Sequence, residues 1–119
     1  MLIADDHADT RIILRHYLEA FGLHVDEAVN GVEALEELRR NGAGVLVLDV
    51  QMPQVDGISV LEQVRSDERL AGIPVVVLTG DAEGVQRARD AGADECLTKP
   101  AHPRALYDVV TELISDRSR

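Results

Sequence analysis

Short apolar runs alternate with longer amphipathic stretches along this chain of 119 residues. Two runs, Val45–Leu48 and Val75–Leu78, are apolar without interruption. Such runs are typical of strands covered on both faces, as in a parallel sheet between two layers of helices. Shorter strands are predicted at Leu2–Ala4 and Ala93–Leu97, and Leu23–Val29 alternates as a less buried strand does.

Apolar residues at helical spacing predict a helix after each of these strands. The helices are expected at Asp9–Phe21, Asn30–Asn41, from the Asp56–Gly57 turn onward, Ala82–Ala91 and Pro103–Ile114. The fourth helix is poor in large apolar side chains and contains Gly84, which costs about 1 kcal/mol relative to Ala inside a helix. We therefore expect its position to change at little cost.

Strand and helix alternate five times, which predicts an α/β fold with a doubly wound, flavodoxin-like parallel sheet and five helices on its two faces. The common strand order for such a sheet is 2-1-3-4-5, and ligands bind where the order reverses, beyond the carboxyl ends of strands 1 and 3. The length suits one domain, predicted over residues 1–115, with residues 116–119 as a polar tail or linker stub.

Charge and composition narrow the classes of partner. A formal net charge of −10 argues against direct binding of nucleic acid, because phosphate backbones recruit Lys and Arg. No apolar stretch approaches the length of a membrane span, and Asp5 interrupts the start too early for a signal peptide. The single cysteine, Cys96, fits a reducing compartment. We therefore expect a cytoplasmic protein without membrane insertion.

Polar side chains follow four of the predicted strands at one edge of the sheet. Asp5 and Asp6 follow the first strand, Asp49 the third, Thr79 the fourth and Lys99 the fifth. Each has an ordinary alternative, since an acid pair often caps the next helix, a threonine often begins a turn and an exposed lysine often serves solubility. Asp49 follows a fully apolar strand and has no adjacent helix to cap, so the set predicts a site.

The charges of this set call for a cation. Three crowded carboxylates against Lys99 leave a formal charge of −2, which one Mg²⁺ would neutralise. A carboxylate is also a nucleophile in phosphoryl transfer, and such transfer needs its equatorial oxygens neutralised. The chain has no Gly-x-Gly-x-x-Gly motif and no Walker-type loop that would indicate nucleotide binding.

In order and spacing, these residues resemble the receiver domains of two-component response regulators over essentially the whole chain. The matching motifs are Asp5–Asp6, Asp49 in Leu48–Pro53, Asp56–Gly57, Thr79–Gly80 and Lys99–Pro100. The resemblance implies that Asp49 accepts a phosphoryl group from a sensor histidine kinase or a phosphotransfer protein. The phosphorylated domain would signal to a downstream effector domain or protein, and it would not turn over a separate substrate.

The resemblance also implies roles for the remaining site residues. Mg²⁺, or Mn²⁺ in its place, would be held by Asp6, Asp49 and the backbone carbonyl of Gln51, with Asp5 acting through a bound water. Lys99 and Thr79 would contact the phosphoryl oxygens, and the Lys99–Pro100 bond would be cis. Our hypothesis is that phosphorylation pulls Thr79 inward and shifts the helix Ala82–Ala91.

Two positions depart from the family pattern. Three residues before the lysine the family usually carries an aromatic ring, and here the residue is Cys96, which we interpret as a small buried hydrophobe. The residue after Lys99–Pro100 is often Phe and here is Ala101. Both changes thin the packing near the expected output face.

Three other classes of protein share parts of this pattern. A haloacid-dehalogenase-like phosphatase uses similar residues, but it places its nucleophile after the first strand and its acid pair last. An interaction module that works without phosphorylation would be favoured if Asp6, Asp49 or Lys99 were missing. A flavodoxin is disfavoured, because acids in the first loop would repel the cofactor phosphate and the chain has only three aromatic residues.

Overall fold

A computed structural model describes residues 1–52 and 56–117, and only the backbone of the last two of these. Strands and helices alternate in the predicted order. The strands are β1 Leu2–Ala4, β2 Asp26–Ala28, β3 Leu46–Asp49, β4 Val75–Thr79 and β5 Glu95–Thr98. The helices are α1 Ala8–Ala20, α2 Gly31–Asn41, α3 Gly57–Ser66, α4 Ala82–Asp90 and α5 Pro103–Arg117.

The strands form one parallel sheet in the order β2-β1-β3-β4-β5. The predicted fold class and strand order are therefore confirmed. The order reverses at the pair β1 and β3, where Ala4 lies opposite Leu48. The residues that follow these two positions therefore leave the sheet side by side.

Alternating side chains of the central strands fill two core layers. Leu46 and Leu48 of β3 pack in a layer with α2, α3 and α4, whereas Val47 packs in a layer with α1 and α5. This is the division that a period of two residues imposes on a strand covered on both faces. The two layers hold the carboxyl ends of the strands at a common edge.

Side chains cap four of the helices, and at the start of α5 Nδ1 of His102 accepts from the backbone N–H of Arg104 at 3.0 Å. Asn30 accepts from the backbone N–H of Glu33, Asp56 from that of Ser59, and Asp81 from that of Gly84, at 2.8, 2.8 and 2.6 Å. Each cap pairs one of the N–H groups that a helix start leaves without an internal partner. Asn30 is the cap expected from the sequence.

Two elements differ in extent from the sequence prediction. β2 is shorter than Leu23–Val29 because it pairs only with β1, whose three residues set its length. α5 continues to Arg117, two residues past the predicted domain boundary at 115, which stays a prediction. Among the described residues, every helix is too short or too polar to cross a membrane.

Candidate functional site

Two buried carboxylates lie next to each other at the switch point of the sheet. Asp49 ends β3 and Asp5 follows β1, and each is only 1% exposed. Their strands are neighbours, and the register opposes Ala4 to Leu48, the residues directly before them. The topology therefore buries two carboxylates at the edge of the core. Asp side chains are almost never fully buried unless they are paired.

Lys99 is the cationic partner of Asp49. Its Nζ lies 2.8 Å from Oδ1 of Asp49, which also accepts from the backbone N–H of Gln51 at 3.2 Å. Burial raises the pKa of Asp49 above its usual value, and the charge of Asp5 raises it further, while the hydrogen bond from Lys99 opposes both. The carboxylate is thus held in an environment that disfavours its charge.

The backbone brings Lys99 to this position from the far side of the sheet. Its N–H donates to the carbonyl oxygen of Thr79 at 2.7 Å, which extends the pairing of β4 and β5 by one residue. The Lys99–Pro100 peptide bond is cis, as the resemblance implied.

One oxygen on each buried acid accepts no hydrogen bond from the described part of the chain. These atoms are Oδ2 of Asp5 and Oδ2 of Asp49. A buried oxygen without a partner costs about 1–3 kcal/mol, and more when it is charged. The side chains of Asp5, Asp6, His7 and Asp49 each offer a ligand atom within 4.8 Å of the others. Buried unpaired carboxylate oxygens in such a cluster are the donors that a hard divalent cation takes.

The acid pair does not cap α1, although an acid pair before a helix commonly does. His7 is the N-cap residue, and its side chain caps no helix N–H. Oδ1 of Asp5 instead accepts from the backbone N–H of His7 at 2.8 Å, a local turn that holds this carboxylate toward Asp49. Asp6 is more accessible, with 32% of its side chain exposed.

Thr79 ends β4 and is 4% exposed. It lines an open cleft of about 550 Å³ together with Asp6, Gln51, Asp81 and Arg87. Three of the six predicted site residues, Asp6, Gln51 and Thr79, line this cleft. The other three lie beside it, since Asp49 contacts Gln51 and Lys99 and clusters with Asp5 and Asp6.

Glycine is required at two positions beside the site. A Cβ on Gly57 would collide with the carbonyl oxygen of Asp49, and one on Gly84 would collide with Oγ1 of Thr79. The Asp56–Gly57 motif thus has a steric reason, since the start of α3 lies directly against the backbone of Asp49. Pro53, which belongs to the quoted motif around Asp49, lies outside the described residues.

Sequence reasoning missed two residues that hold the acidic loop in place. Arg11 of α1 donates from Nη1 to the carbonyl oxygen of Asp5 at 2.7 Å and from Nε to Glu27 of β2 at 3.1 Å. Glu27 also accepts from Arg15, and this hydrogen bond lowers the pKa of Glu27. Only the strand order brings α1 and β2 together over this loop, so no local pattern pointed to the contact.

The departures at Cys96 and Ala101 leave small side chains on either side of β5. Cys96 packs partly buried against the layer of α2, α3 and α4, and burial raises the pKa of its thiol. Ala101 lines a mostly apolar cleft of about 410 Å³ with Ile13 and Lys99. Cys96 is partly buried and its Sγ lies 3.9 Å from the carbonyl oxygen of Val85, so its interpretation as a small buried hydrophobe holds only in part, and the thinned packing stays a prediction.

Comparison with known proteins assigns the class. The family model described as the response regulator receiver domain matches residues 1–111. The chain belongs to this family, whose members are signalling domains of two-component systems and bind Mg²⁺ in an acidic pocket. The assignment decides against the dehalogenase-like phosphatase and the flavodoxin.

Individual relatives occur in two kinds of protein. The chain is 37% identical over 102 residues to the sensor protein EvgS of Escherichia coli O157:H7, covering 84% of this chain and 8% of EvgS. It is 35% identical over 121 residues to the transcriptional regulatory protein ResD of Bacillus subtilis (strain 168), covering 100% of this chain and 49% of ResD. The chain thus spans about half of one relative and a small part of the other.

A solved structure matches along the whole fold. The signal receiver domain of a signal transduction histidine kinase from Syntrophus aciditrophicus superposes with a TM-score of 0.92 at 32% identity, covering 99% of this chain and 91% of that chain.

Proposed function

We propose that this chain is the phosphoacceptor of a two-component phosphorelay and that Asp49 is the residue phosphorylated. The observation that carries the proposal is the state of Asp49, which is buried at the switch point of the sheet with one oxygen on Lys99 and the other unpaired. A carboxylate in this position has a free oxygen for attack and a cation already in place for the incoming charge.

The divalent cation would be held by Asp5, Asp6, Asp49 and the backbone carbonyl of Gln51. The unpaired oxygens of Asp5 and Asp49 and the carboxylate donors fit Mg²⁺, with Mn²⁺ as a substitute. When bound, the ion supplies positive charge to the transferring phosphoryl group. It also removes the formal charge of −2 that would repel a dianionic donor.

The chain's own residues perform the rest of the transfer. One oxygen of Asp49 attacks phosphorus, the P–N bond of the donor phosphohistidine breaks, and the imidazole of the donor leaves with its electron pair. Lys99 moves its hydrogen bond from Asp49 to a phosphoryl oxygen. Thr79 donates its hydroxyl hydrogen to another phosphoryl oxygen, which orients and neutralises the group in place.

Movement of Thr79 would carry the signal. Thr79 lies against Gly84 of α4, and α4 buries only Gly84 and Ala88. Withdrawal of Thr79 toward the phosphoryl group therefore removes a contact from a helix whose two buried residues are both small, and such weakly anchored elements move at low free energy.

The partners follow from the contexts of the relatives. A sensor protein and a transcriptional regulatory protein both contain a similar domain, so we propose a sensor histidine kinase or phosphotransfer protein as donor and an effector domain or protein as target. We place the chain in the cytoplasm, the compartment of these phosphodonors, with a domain over residues 1–115.

Intact-mass measurement after incubation with acetyl phosphate tests the proposal. We expect one added phosphoryl group on the wild-type chain in the presence of Mg²⁺ and none without it. Asp49→Asn should remain unmodified under both conditions, and Asp26→Asn, an exposed acid far from the cleft, should behave as wild type. A modified Asp49→Asn variant, or a wild type that is inert to phosphodonors with Mg²⁺, would reject Asp49 as the acceptor.

A further inference from the structure

An imidazole stands at the rim of the acidic cluster and has no role in the function proposed above. Nδ1 of His7 lies 3.2 Å from Oδ1 of Asp5 and 3.1 Å from Oδ1 of Asp6. Its ligand atom belongs to the same group as those of Asp5, Asp6 and Asp49, all within 4.8 Å of one another. The cluster is therefore a mixed set of oxygen and nitrogen donors.

The side chain of His7 caps no helix N–H and contacts the acids instead, with a hydrogen bond between Nδ1 and Oδ1 of Asp5. The His7 side chain turns back toward the acids, whereas four other helix-capping side chains accept a helix N–H, namely Asn30, Asp56, Asp81 and His102. The side chain of His7 is 65% exposed, so packing does not fix its position. Its backbone N–H is anchored on Oδ1 of Asp5 at 2.8 Å, which keeps the ring beside the cluster.

The separations agree with coordination of one ion. Two ligands at right angles, each about 2.1 Å from an ion, lie about 3 Å apart. The distances from Nδ1 of His7 to the oxygens of Asp5 and Asp6 are close to this value. The unpaired Oδ2 atoms of Asp5 and Asp49, each on a residue that is 1% exposed, are independent evidence for a ligand in this pocket beyond Lys99, which contacts only Oδ1 of Asp49.

We propose that His7 is a ligand of the divalent cation through Nδ1, in the tautomer that carries its proton on Nε2. This inference rests on the cation site of the proposed function and adds one imidazole to it. Imidazole favours first-row transition ions, whereas Mg²⁺ prefers oxygen alone. The site therefore selects a transition ion such as Mn²⁺ or Ni²⁺ over Mg²⁺ more strongly than its carboxylates would by themselves.

Electron spin resonance of bound Mn²⁺ tests this directly, because echo-modulation spectra detect a nitrogen that is coordinated to the ion. We expect a coordinated nitrogen in the wild-type chain and in His16→Ala, which removes an exposed histidine of α1. The signal should be absent in His7→Ala. Displacement of Mn²⁺ by Ni²⁺ and by Mg²⁺ then gives their relative affinities at this one site.

We expect His7→Ala to lower the ratio of Ni²⁺ to Mg²⁺ affinity by about tenfold, the lower end of the effect of removing a supporting group from a metal site. His16→Ala should leave the ratio unchanged. Bound Mn²⁺ without a nitrogen signal, or an unchanged ratio in His7→Ala, overturns the role of His7 and leaves the cation site intact. A wild type that binds none of the three ions overturns the cation site of the proposed function as well.

Discussion

At the scale of single residues, the candidate site is a pocket that buries ionisable carboxylates away from water. Asp49 and Asp5 are buried side by side, and Lys99 offsets one of the two charges. The raised pKa of Asp49, caused first by burial, means that folding disfavours its charged form. The ionised carboxylate of Asp49 therefore destabilises the metal-free fold at neutral pH, since the stability that its protonated form provides is lost as the pH rises through that raised pKa.

Replacing Asp49 by Asn should make the metal-free protein more stable. The amide keeps the shape of the side chain and removes both the buried charge and its repulsion by Asp5, so we expect a gain of about 1 kcal/mol at pH 7. Urea unfolding without divalent ions measures the difference. Asp26→Asn, at an exposed acid, should stay within about 0.5 kcal/mol of wild type.

Addition of Mg²⁺ should make the wild-type chain more stable than Asp49→Asn, which is the reverse of their order without metal. Wild type gains free energy of unfolding by mass action, about 2.7 kcal/mol at a concentration one hundred times its dissociation constant, and the Asn variant gains less. A metal-free Asp49→Asn variant that unfolds at lower urea than wild type would contradict this account of the pocket.

At the scale of elements, the sequence and the structure explain Gly84 of α4 differently. The sequence predicted a weakly anchored helix, and the two buried residues Gly84 and Ala88 agree with this. In the sequence alone, Gly84 indicates only a cost to helix formation. Its contact with Thr79 instead gives glycine a steric purpose, and this contact between a strand end and a helix turn was beyond any local pattern.

Gly84→Ala should destabilise the protein although alanine is the better helix former by about 1 kcal/mol. The new methyl group collides with Oγ1 of Thr79, so either the threonine or the first turn of α4 must move, and we expect a net loss of about 1–2 kcal/mol. Gln86→Ala, an exposed position of the same helix, should change stability by less than about 0.5 kcal/mol.

Phosphorylation by acetyl phosphate should also be slower in Gly84→Ala, because Thr79 is displaced from its position at the cleft. Thermal or urea unfolding and a mass-based time course give the two readouts. A variant as stable and as rapidly phosphorylated as wild type would show that α4 shifts at no cost in stability and that the position of Thr79 does not depend on α4.

At the scale of the whole molecule, the sequence was sufficient for the sheet and for which residues converge. An unbroken apolar run such as Val45–Leu48 is typical of a strand covered on both faces of a sheet. The strand order then aligns the polar groups that follow such strands. Contacts made by long side chains between distant elements were not predictable. Arg11 on Asp5 is one, and Arg65 of α3, which donates to the carbonyl oxygens of Ala71, Ile73 and Gly92, is another.

Glu27 shows how such a contact links the outer strand to the site. Its lowered pKa, caused first by the hydrogen bond from Arg15, means that its ion pairs stabilise the fold at neutral pH and that this stabilisation is lost as the pH falls through the lowered pKa. Glu27→Gln should therefore cost about 1 kcal/mol at pH 7 and progressively less in acid. Urea unfolding over a series of acidic pH values measures both effects.

The same substitution should weaken cation binding, up to about tenfold, because Arg11 loses the partner that orients it on the carbonyl of Asp5. Glu19→Gln removes the other acid on Arg15 and spares Arg11, so its Mg²⁺ affinity should match wild type. An equal loss of affinity in both variants would indicate a general effect of surface charge.

The order of the strands along the chain has a consequence for the newly made protein. β1 and β3, which supply the acids, leave the ribosome before β5 and Lys99. Until that last strand joins the sheet, the pocket is an uncompensated group of carboxylates that repels any phosphorylated donor. If Asp49 is the phosphoacceptor, as we propose, this repulsion guards an incomplete chain against premature phosphorylation, and competence arrives only with the finished fold.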